Sequence, residues 1–167
     1  MLFRSAFPVR QLFEDKLDEF DLIIFDRYAN RGVIPRIYLQ NIADYVSYGG
    51  AVLIAAGPED ASPSLSLFTT PVASILPTVP NGRILTAGFK PRISDVGSRH
   101  PVTADLQPPG TTVPEWGRWF RLIGAQRQSG NAVMEGDAGA PLLVLDRVGE
   151  GRVAQLLSDQ AWLDRKS

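Results

Sequence analysis

Hydrophobic and polar positions between residues 20 and 60 follow the order strand, loop, helix, turn and strand. Leu22–Phe25 is a short continuous apolar run, as is typical of a strand buried on both faces. A polar loop over Asp26–Gly32 separates it from a helix that Pro35 starts and Gly49 ends, and Ala51–Ala56 is the second buried strand. The apolar positions at helical spacing are Ile34, Ile37, Ile42, Tyr45 and Val46.

This β-α-β unit predicts where a ligand would bind. Two strands joined by a crossover helix run parallel, and open parallel sheets bind ligands beyond the carboxyl ends of their strands. The two loops at those ends are Asp26–Asn30 and Gly57–Asp60. We therefore expect a binding site between these loops.

The rest of the chain contains weaker patterns. Val9–Phe20 has an apolar face and is predicted as an amphipathic helix. Residues 57–114 hold ten of the thirteen prolines, which disfavours long helices and central strands there. Further strands are predicted at Arg83–Phe89, Ala132–Gly136, Pro141–Val148 and Arg152–Leu157, followed by a helix capped by Ser158 or Asp159.

These elements predict an α/β fold with a mostly parallel sheet. The glycine-rich connection at residues 149–151 joins the last two strands, so that pair is expected to form an antiparallel hairpin. Residues 1–167 are expected to form one domain. Because a helix precedes the first strand and the last helix is cut short, the chain is interpreted as truncated at both ends of a longer domain.

Composition excludes several classes of function. The chain has no cysteine, which rules out disulfides, thiolate metal sites and a cysteine nucleophile. It has one histidine, so an ordinary zinc site is not expected. A formal charge of −1 argues against nucleic-acid binding, and no apolar stretch is long enough to span a membrane.

Four stretches together resemble a known family: FDLIIFDRYANRG, IADYVSYGGAVLIAAGPED, SRHPVT and LLVLDRVGEGRVAQLLSDQAW. The chain resembles, over nearly all its length, the class I glutamine amidotransferase-like domains of the flavodoxin-like group. Within that group it is most similar to the domain found in large bacterial membrane proteins, often with a von Willebrand A-type domain. The resemblance implies a three-layer α/β sandwich.

The chain departs from the family's enzymes at the catalytic turn. Active members place a cysteine after the second strand, with a downstream histidine and glutamate. Here the turn is Ala55–Glu59, with alanine at the nucleophile's position, and no histidine follows His100. The resemblance therefore implies a non-catalytic module that senses a ligand or contacts other domains of a larger, membrane-associated protein, without a cofactor. Besides other domains of the same protein, the module could contact a separate protein partner, or it could form a homodimer through an unpaired sheet edge.

The alternative in a different class is a hydrolase. It would use Asp26, Glu59 and His100, because a histidine oriented by a carboxylate is a usable general base. The simpler interpretation of the His100–Thr103 stretch is a turn whose imidazole bonds to a backbone carbonyl. Carboxylates at the strand ends could also hold a hard cation, but a helix cap by Glu59 or Asp60 is the simpler interpretation, and no metal site is predicted.

A last candidate is a ligand or partner surface. Aromatic and arginine side chains are typical of protein–protein hot spots, and they cluster between residues 116 and 121. The alternative is that the tryptophans fasten a long loop to the sheet. The residues predicted for this surface, including two at the strand ends, are Tyr28, Gly57, Trp116, Arg118, Trp119 and Arg121.

Overall fold

The computed structural model describes residues 8–62, 64–106 and 116–161, and a six-stranded sheet forms their centre. In order across the sheet, the strands are β1 (Ile23–Asp26), β2 (Ala51–Ala55), β8 (Gly151–Leu156), β7 (Pro141–Val148), β6 (Asn131–Glu135) and β4 (Arg92–Ile93). Four of these strands (β1, β2, β8 and β6) run in one direction, and β7 and β4 run in the other. This confirms the predicted α/β class with a mostly parallel sheet.

The predicted β-α-β unit is present. Helix α1 covers Arg36–Ser47 and connects β1 to β2, which are parallel neighbours. Its N-cap is Pro35, and Gly49 follows its end with φ of 118°, a conformation that side chains disfavour. Of the apolar positions at helical spacing, Ile37 does not lie on the buried face, since it is 62% exposed.

The C-terminal hairpin also forms as predicted. Strands β7 and β8 pair antiparallel over six residue pairs, from Leu143 with Leu156 to Val148 with Gly151. The connection turns at Gly149, whose φ of 58° suits glycine. Strand β8 then lies between β7 and β2, so the hairpin joins the β-α-β unit in one sheet. Residues 158–161, at the start of the predicted C-terminal helix, are not helical, and the rest of that prediction lies outside the described residues.

A second sheet was only partly anticipated. Strand β3 (Thr78–Leu85) pairs antiparallel with β5 (Leu122–Arg127). The strand predicted at Arg83–Phe89 therefore begins five residues earlier, and β5 was not predicted. Pro80 is tolerated in β3 because that strand lies in a two-stranded sheet, where every strand is an edge.

The main core lies between α1 and one face of the large sheet. Val52, Ile54 and Val153 point towards Ile42 and Val46 of α1, and all five are at most 2% exposed. The predicted N-terminal helix is irregular. Its apolar face packs on this core as expected, but through a π-helical turn at Gln11–Asp15 and a 3-10 turn at Leu17–Glu19. Other 3-10 turns cover Pro58–Ala61, Leu67–Thr69, Pro71–Ile75, Gly97–Arg99, Ala104–Leu106 and Asp137–Gly139.

Candidate functional site

The carboxyl ends of β1, β2 and β8 bring three loops to one edge of the sheet. Pairing continues past the strands, because the Arg27 N–H donates to the Ala55 carbonyl at 2.9 Å and the Ala56 N–H donates to the Leu156 carbonyl at 2.8 Å. The side chains that follow the strands therefore lie side by side. Arg27 follows β1, Glu59 follows β2 and Asp159 follows β8. With Arg121, which lies just before β5, they form what we call the charged cluster.

Ion pairs hold the charged cluster together. Arg27 Nε lies 3.3 Å from Asp159 Oδ2, and Arg27 Nη2 lies 3.6 Å from Glu59 Oε1. Arg121 Nη1 donates to the same Asp159 oxygen at 2.5 Å. The Asp159 side chain is 4% exposed, whereas that of Arg27 is 48% exposed. The cluster thus contains a buried carboxylate between two guanidinium groups, and its four formal charges sum to zero.

Two carboxylate oxygens of the charged cluster have no hydrogen-bond partner among the described residues. They are Asp159 Oδ1 and Glu59 Oε2, and both atoms are fully buried. Buried polar atoms almost always have a partner, because losing one costs about 1–3 kcal/mol. These two oxygens can therefore each accept a hydrogen bond from another molecule.

The backbone at the site is strained at one residue. Arg27 has a φ of 48°, in the left-handed region that residues with a side chain rarely occupy. Such a conformation costs on the order of 1–2 kcal/mol and persists where the surrounding structure enforces it, often at a binding site. Here it turns the Arg27 side chain towards Glu59 and Asp159, away from the direction of β1.

The turn after β2 contains no reactive group. Ala56 stands where the resemblance places a nucleophile, is 1% exposed, and packs in a second hydrophobic cluster with Leu156 and Leu157. Gly57 follows in close contact with the charged cluster. A Cβ on it would lie 2.7 Å from Glu59 Oε2 and 3.0 Å from Arg27 Nε, so glycine allows these side chains to approach the backbone.

Asp60 caps the 3-10 turn that follows, which is the simpler of the two interpretations for these carboxylates. Its Oδ2 accepts the Gly57 N–H at 2.9 Å. Burial raises the pKa of Asp60 from 3.8 to about 6, the Gly57 hydrogen bond opposes this rise, and the charge of Glu59 adds to it. The described residues include no group of three or more histidine, aspartate or glutamate side chains placed to hold a metal ion.

His100 lies at the other end of the sheet. It borders a groove with Leu22, Ala51 and Arg152, which stand at the amino ends of β1, β2 and β8. Asp26 and Glu59 are at the carboxyl ends, so the structure does not bring the three residues of the hydrolase alternative together. The stretch is a turn in which His100 Nδ1 accepts the Val102 N–H at 3.2 Å. The predicted turn is confirmed, but the predicted partner was wrong, because the imidazole accepts a backbone N–H and does not donate to a carbonyl of the described residues.

The predicted aromatic surface serves mainly to fasten the loop. Trp116 Nε1 donates to the Pro91 carbonyl at 2.7 Å, and the Trp119 ring packs edge-on to Phe89 at 6.4 Å between centroids. Both tryptophans are half-buried against the second hydrophobic cluster, and Arg118 is exposed.

Tyr28 also packs inward, edge-on to Phe25 at 5.4 Å, and burial raises the pKa of its phenol. Of the six residues predicted for a ligand or partner surface, the structure thus brings only Gly57 and Arg121 to the charged cluster. Sequence reasoning missed Arg27 and the role of Asp159. The available signal was that each is a charged residue two positions after a predicted strand, Leu22–Phe25 for Arg27 and Arg152–Leu157 for Asp159.

Comparison with known proteins gives fold relationships only. No protein-family model and no curated protein matches the chain. Two cytoplasmic proteins of Salmonella typhimurium have similar structures, both with TM-scores of 0.71. Their identities are 21% and 20%, and the alignments cover 94% and 95% of this chain and 70% and 67% of theirs. A β-galactosidase of Rahnella sp. R3 is similar at a TM-score of 0.57 and 18% identity, with 86% of this chain and 21% of that one aligned.

In the part of the chain that the structure describes, no helix is both long and apolar enough to cross a lipid bilayer.

Proposed function

We propose that this chain is a non-catalytic, glutamine amidotransferase-like module that senses a small ligand at the charged cluster within a larger protein. The observation that supports this most directly is the pair of buried acceptors, Asp159 Oδ1 and Glu59 Oε2, at the edge of the sheet where open α/β folds bind ligands. Each acceptor belongs to a carboxylate that an arginine already holds in position, so the site is preorganised.

The local chemistry favours binding over catalysis. Ala56 has no group that could attack a substrate, and Ser158, the hydroxyl nearest in sequence to Asp159, is occupied. Its Oγ donates to the Arg121 carbonyl at 2.6 Å and also accepts the Gln160 N–H at 3.2 Å. Nucleophilic catalysis requires an adjacent base, and the only histidine lies at the other end of the sheet. A binding role needs none of these groups.

The charge balance indicates the kind of ligand. Two arginines and two carboxylates cancel, so neither a strong anion nor a strong cation has a net Coulombic advantage at the cluster. What the two buried oxygens need are hydrogen-bond donors. Neutral molecules rich in hydroxyl groups, such as sugars and polyols, supply several donors at close spacing. We therefore expect a polyhydroxylated ligand.

The test is a binding screen with monosaccharides, disaccharides and linear polyols, and with glutamine as the amide representative of the resemblance. A ligand that binds only the folded state raises its stability by about 2.7 kcal/mol at a hundredfold excess over Kd, which a thermal shift detects. We expect at least one sugar or polyol to raise the Tm. Isothermal titration calorimetry of that compound then gives its Kd.

Two variants tie the binding to the cluster. Asp159→Asn and Glu59→Gln keep the side-chain shapes but replace an acceptor oxygen with a donor, so each should weaken binding about tenfold or more. Asp137→Asn, on an exposed turn, is the matched control and should bind as the natural chain does. A screen without any shift at millimolar concentrations, or a ligand whose Kd is the same in both cluster variants, would contradict the proposal.

The setting within a larger protein is also part of the proposal. It rests on the resemblance and on the aligned share of the two Salmonella typhimurium proteins, in which about a third of the length lies outside the match. Other domains of such a protein, or a separate protein partner, would receive the signal. Titration of the domain against the remainder of its parent protein tests this, and no interaction at high micromolar concentration would count against it.

A further inference from the structure

The face of the sheet opposite α1 carries an apolar row that crosses four strands in register. Ile24 of β1 pairs with Leu53 of β2, Leu53 pairs with Ala154 of β8, and Ala154 pairs with Leu145 of β7. Paired residues point to the same side, so these four side chains form one line. We call it the open face. Ile24 is 50% exposed and the other three are half-buried.

An open face of this composition is unusual for parallel strands. Parallel sheets occur almost only with both faces covered, and their strands are therefore apolar on both sides. Within the described ranges the only α-helix is α1, and it packs on the opposite face against Val52, Ile54 and Val153. A groove of about 760 Å³ runs over the open face near the amino ends of β1, β2 and β8. The segment from His100 to Val102 borders this groove.

Two arginines border the open face. Arg147 and Arg152 are directly paired across β7 and β8, one row from Ala154 and Leu145, and both are exposed. Like charges opposite each other in a sheet destabilise the pair. Neither guanidinium has an acidic partner in the parts of the chain that the structure describes. Asp146 also lines the groove, so the border of this apolar floor carries two arginines without ion pairs to the described residues and one carboxylate.

We infer that the open face binds an amphipathic α-helix of a partner protein, with its apolar stripe on the row from Ile24 to Leu145 and acidic side chains against Arg147 and Arg152. This goes beyond the ligand site, which lies at the other end of the strands. The row spans three interstrand spacings, roughly 14 Å, which is the length of about two and a half turns of a helix lying along it. Acidic flanking residues would neutralise the paired arginines.

The dimensions disfavour a second copy of this chain as the occupant. Four strands by three residue rows make a flat contact on the order of 300 Å² per partner, well below the ~800 Å² of a typical stable interface. Two copies would also each bring an unneutralised arginine pair. A single helix about 10–12 Å wide fits on a face of this size, and acidic side chains on it can pair with the two arginines.

The test uses two designed helical peptides of about 18 residues with the same leucine stripe. One carries glutamates along the flanks of the stripe and the other carries lysines. We expect the glutamate peptide to bind the chain at least tenfold more tightly than the lysine peptide, measured by fluorescence anisotropy. In the double variant Arg147→Glu/Arg152→Glu the preference should reverse, a readout that loss of folding could not produce.

Two further results locate and delimit the site. Ile24→Asp should abolish binding of the glutamate peptide, whereas Ile37→Asp, on the exposed side of α1, should not. Three outcomes would overturn the inference: no binding of either peptide up to millimolar concentration, equal binding of both, or a dimer in light scattering that Ile24→Asp converts to a monomer. The last result would assign the open face to a second copy.

Discussion

Replacing Asp60 with asparagine removes a carboxyl group that is 7% exposed and caps the turn after β2. Asparagine has nearly the same shape, and its side-chain oxygen can still accept the Gly57 N–H that Asp60 accepts at 2.9 Å. The substitution therefore keeps the cap and eliminates only the titration. It isolates the energetic cost of an ionised carboxylate beside the charged cluster.

The magnitude follows from the pKa. Burial raises the pKa of Asp60 from 3.8 to about 6, and at 1.36 kcal/mol per unit this rise corresponds to about 3 kcal/mol. A raised pKa means that the folded state binds the proton more tightly than the unfolded chain does. The contribution of Asp60 to stability is therefore fully present below about pH 3.8 and is lost as the pH rises through about 6, which is opposite to the usual behaviour of an aspartate.

The assay is urea unfolding of both proteins followed by tryptophan fluorescence, from about pH 4 to pH 8. Titrating groups that do not interact with Asp60 cancel in the difference between the two proteins. We expect the free energy of unfolding of Asp60→Asn, relative to the natural chain, to increase by about 2–3 kcal/mol across that range. The exposed Asp95→Asn serves as the control. A difference that is flat with pH, or that changes in the other direction, would refute the assignment of a buried, proton-binding Asp60.

Three other substitutions test the core, a close approach and the charged cluster. Ile42→Ala empties a position in α1 that is 0% exposed, and should lower the free energy of unfolding by about 2–5 kcal/mol in urea titrations. Gly151→Ala would drive a Cβ into carbonyl oxygens at the end of α1 and should abolish cooperative thermal unfolding, whereas Gly117→Ala, with open space around it, should leave the Tm unchanged. Arg121→Ala leaves Asp159 with one guanidinium and should cost about 2 kcal/mol. The double variant Arg121→Ala/Asp159→Ala tests the coupling of this pair. If its loss of unfolding free energy equals the sum of the losses in the two single variants, the two side chains are not coupled.

The charged cluster shows why a site is harder to predict than a strand. The sequence placed binding at the loops after β1 and β2, and Gly57 and Glu59 are there. Arg27 lies within the predicted loop Asp26–Asn30 but was not named as a site residue, because its positive φ of 48° is visible only in the structure. Asp159 was assigned to a helix cap. It lies far from Arg27 along the chain, so the sequence does not indicate that these two side chains meet.

The His100 hypothesis failed for a related physical reason. The sequence gives a histidine near carboxylates in a proline-rich region, but strand direction decides which end of the sheet each residue reaches. β1 and β2 carry Asp26 and Glu59 to one end, while the segment from His100 to Val102 borders the other. No local pattern within residues 94–105 contains that information.

What the sequence determined by itself was local: the β-α-β unit, the C-terminal hairpin and the presence of alanine at the turn after β2. Each depends on a few consecutive residues, through apolar runs that must be buried and through glycines that permit a turn. The tertiary structure alone decided the insertion of β8 between β2 and β7, which brings Asp159 to Arg27, and the alignment of four strands into the open face. Strand order and register arise from the packing of the whole sheet, so contacts between distant residues appear only once the chain is folded.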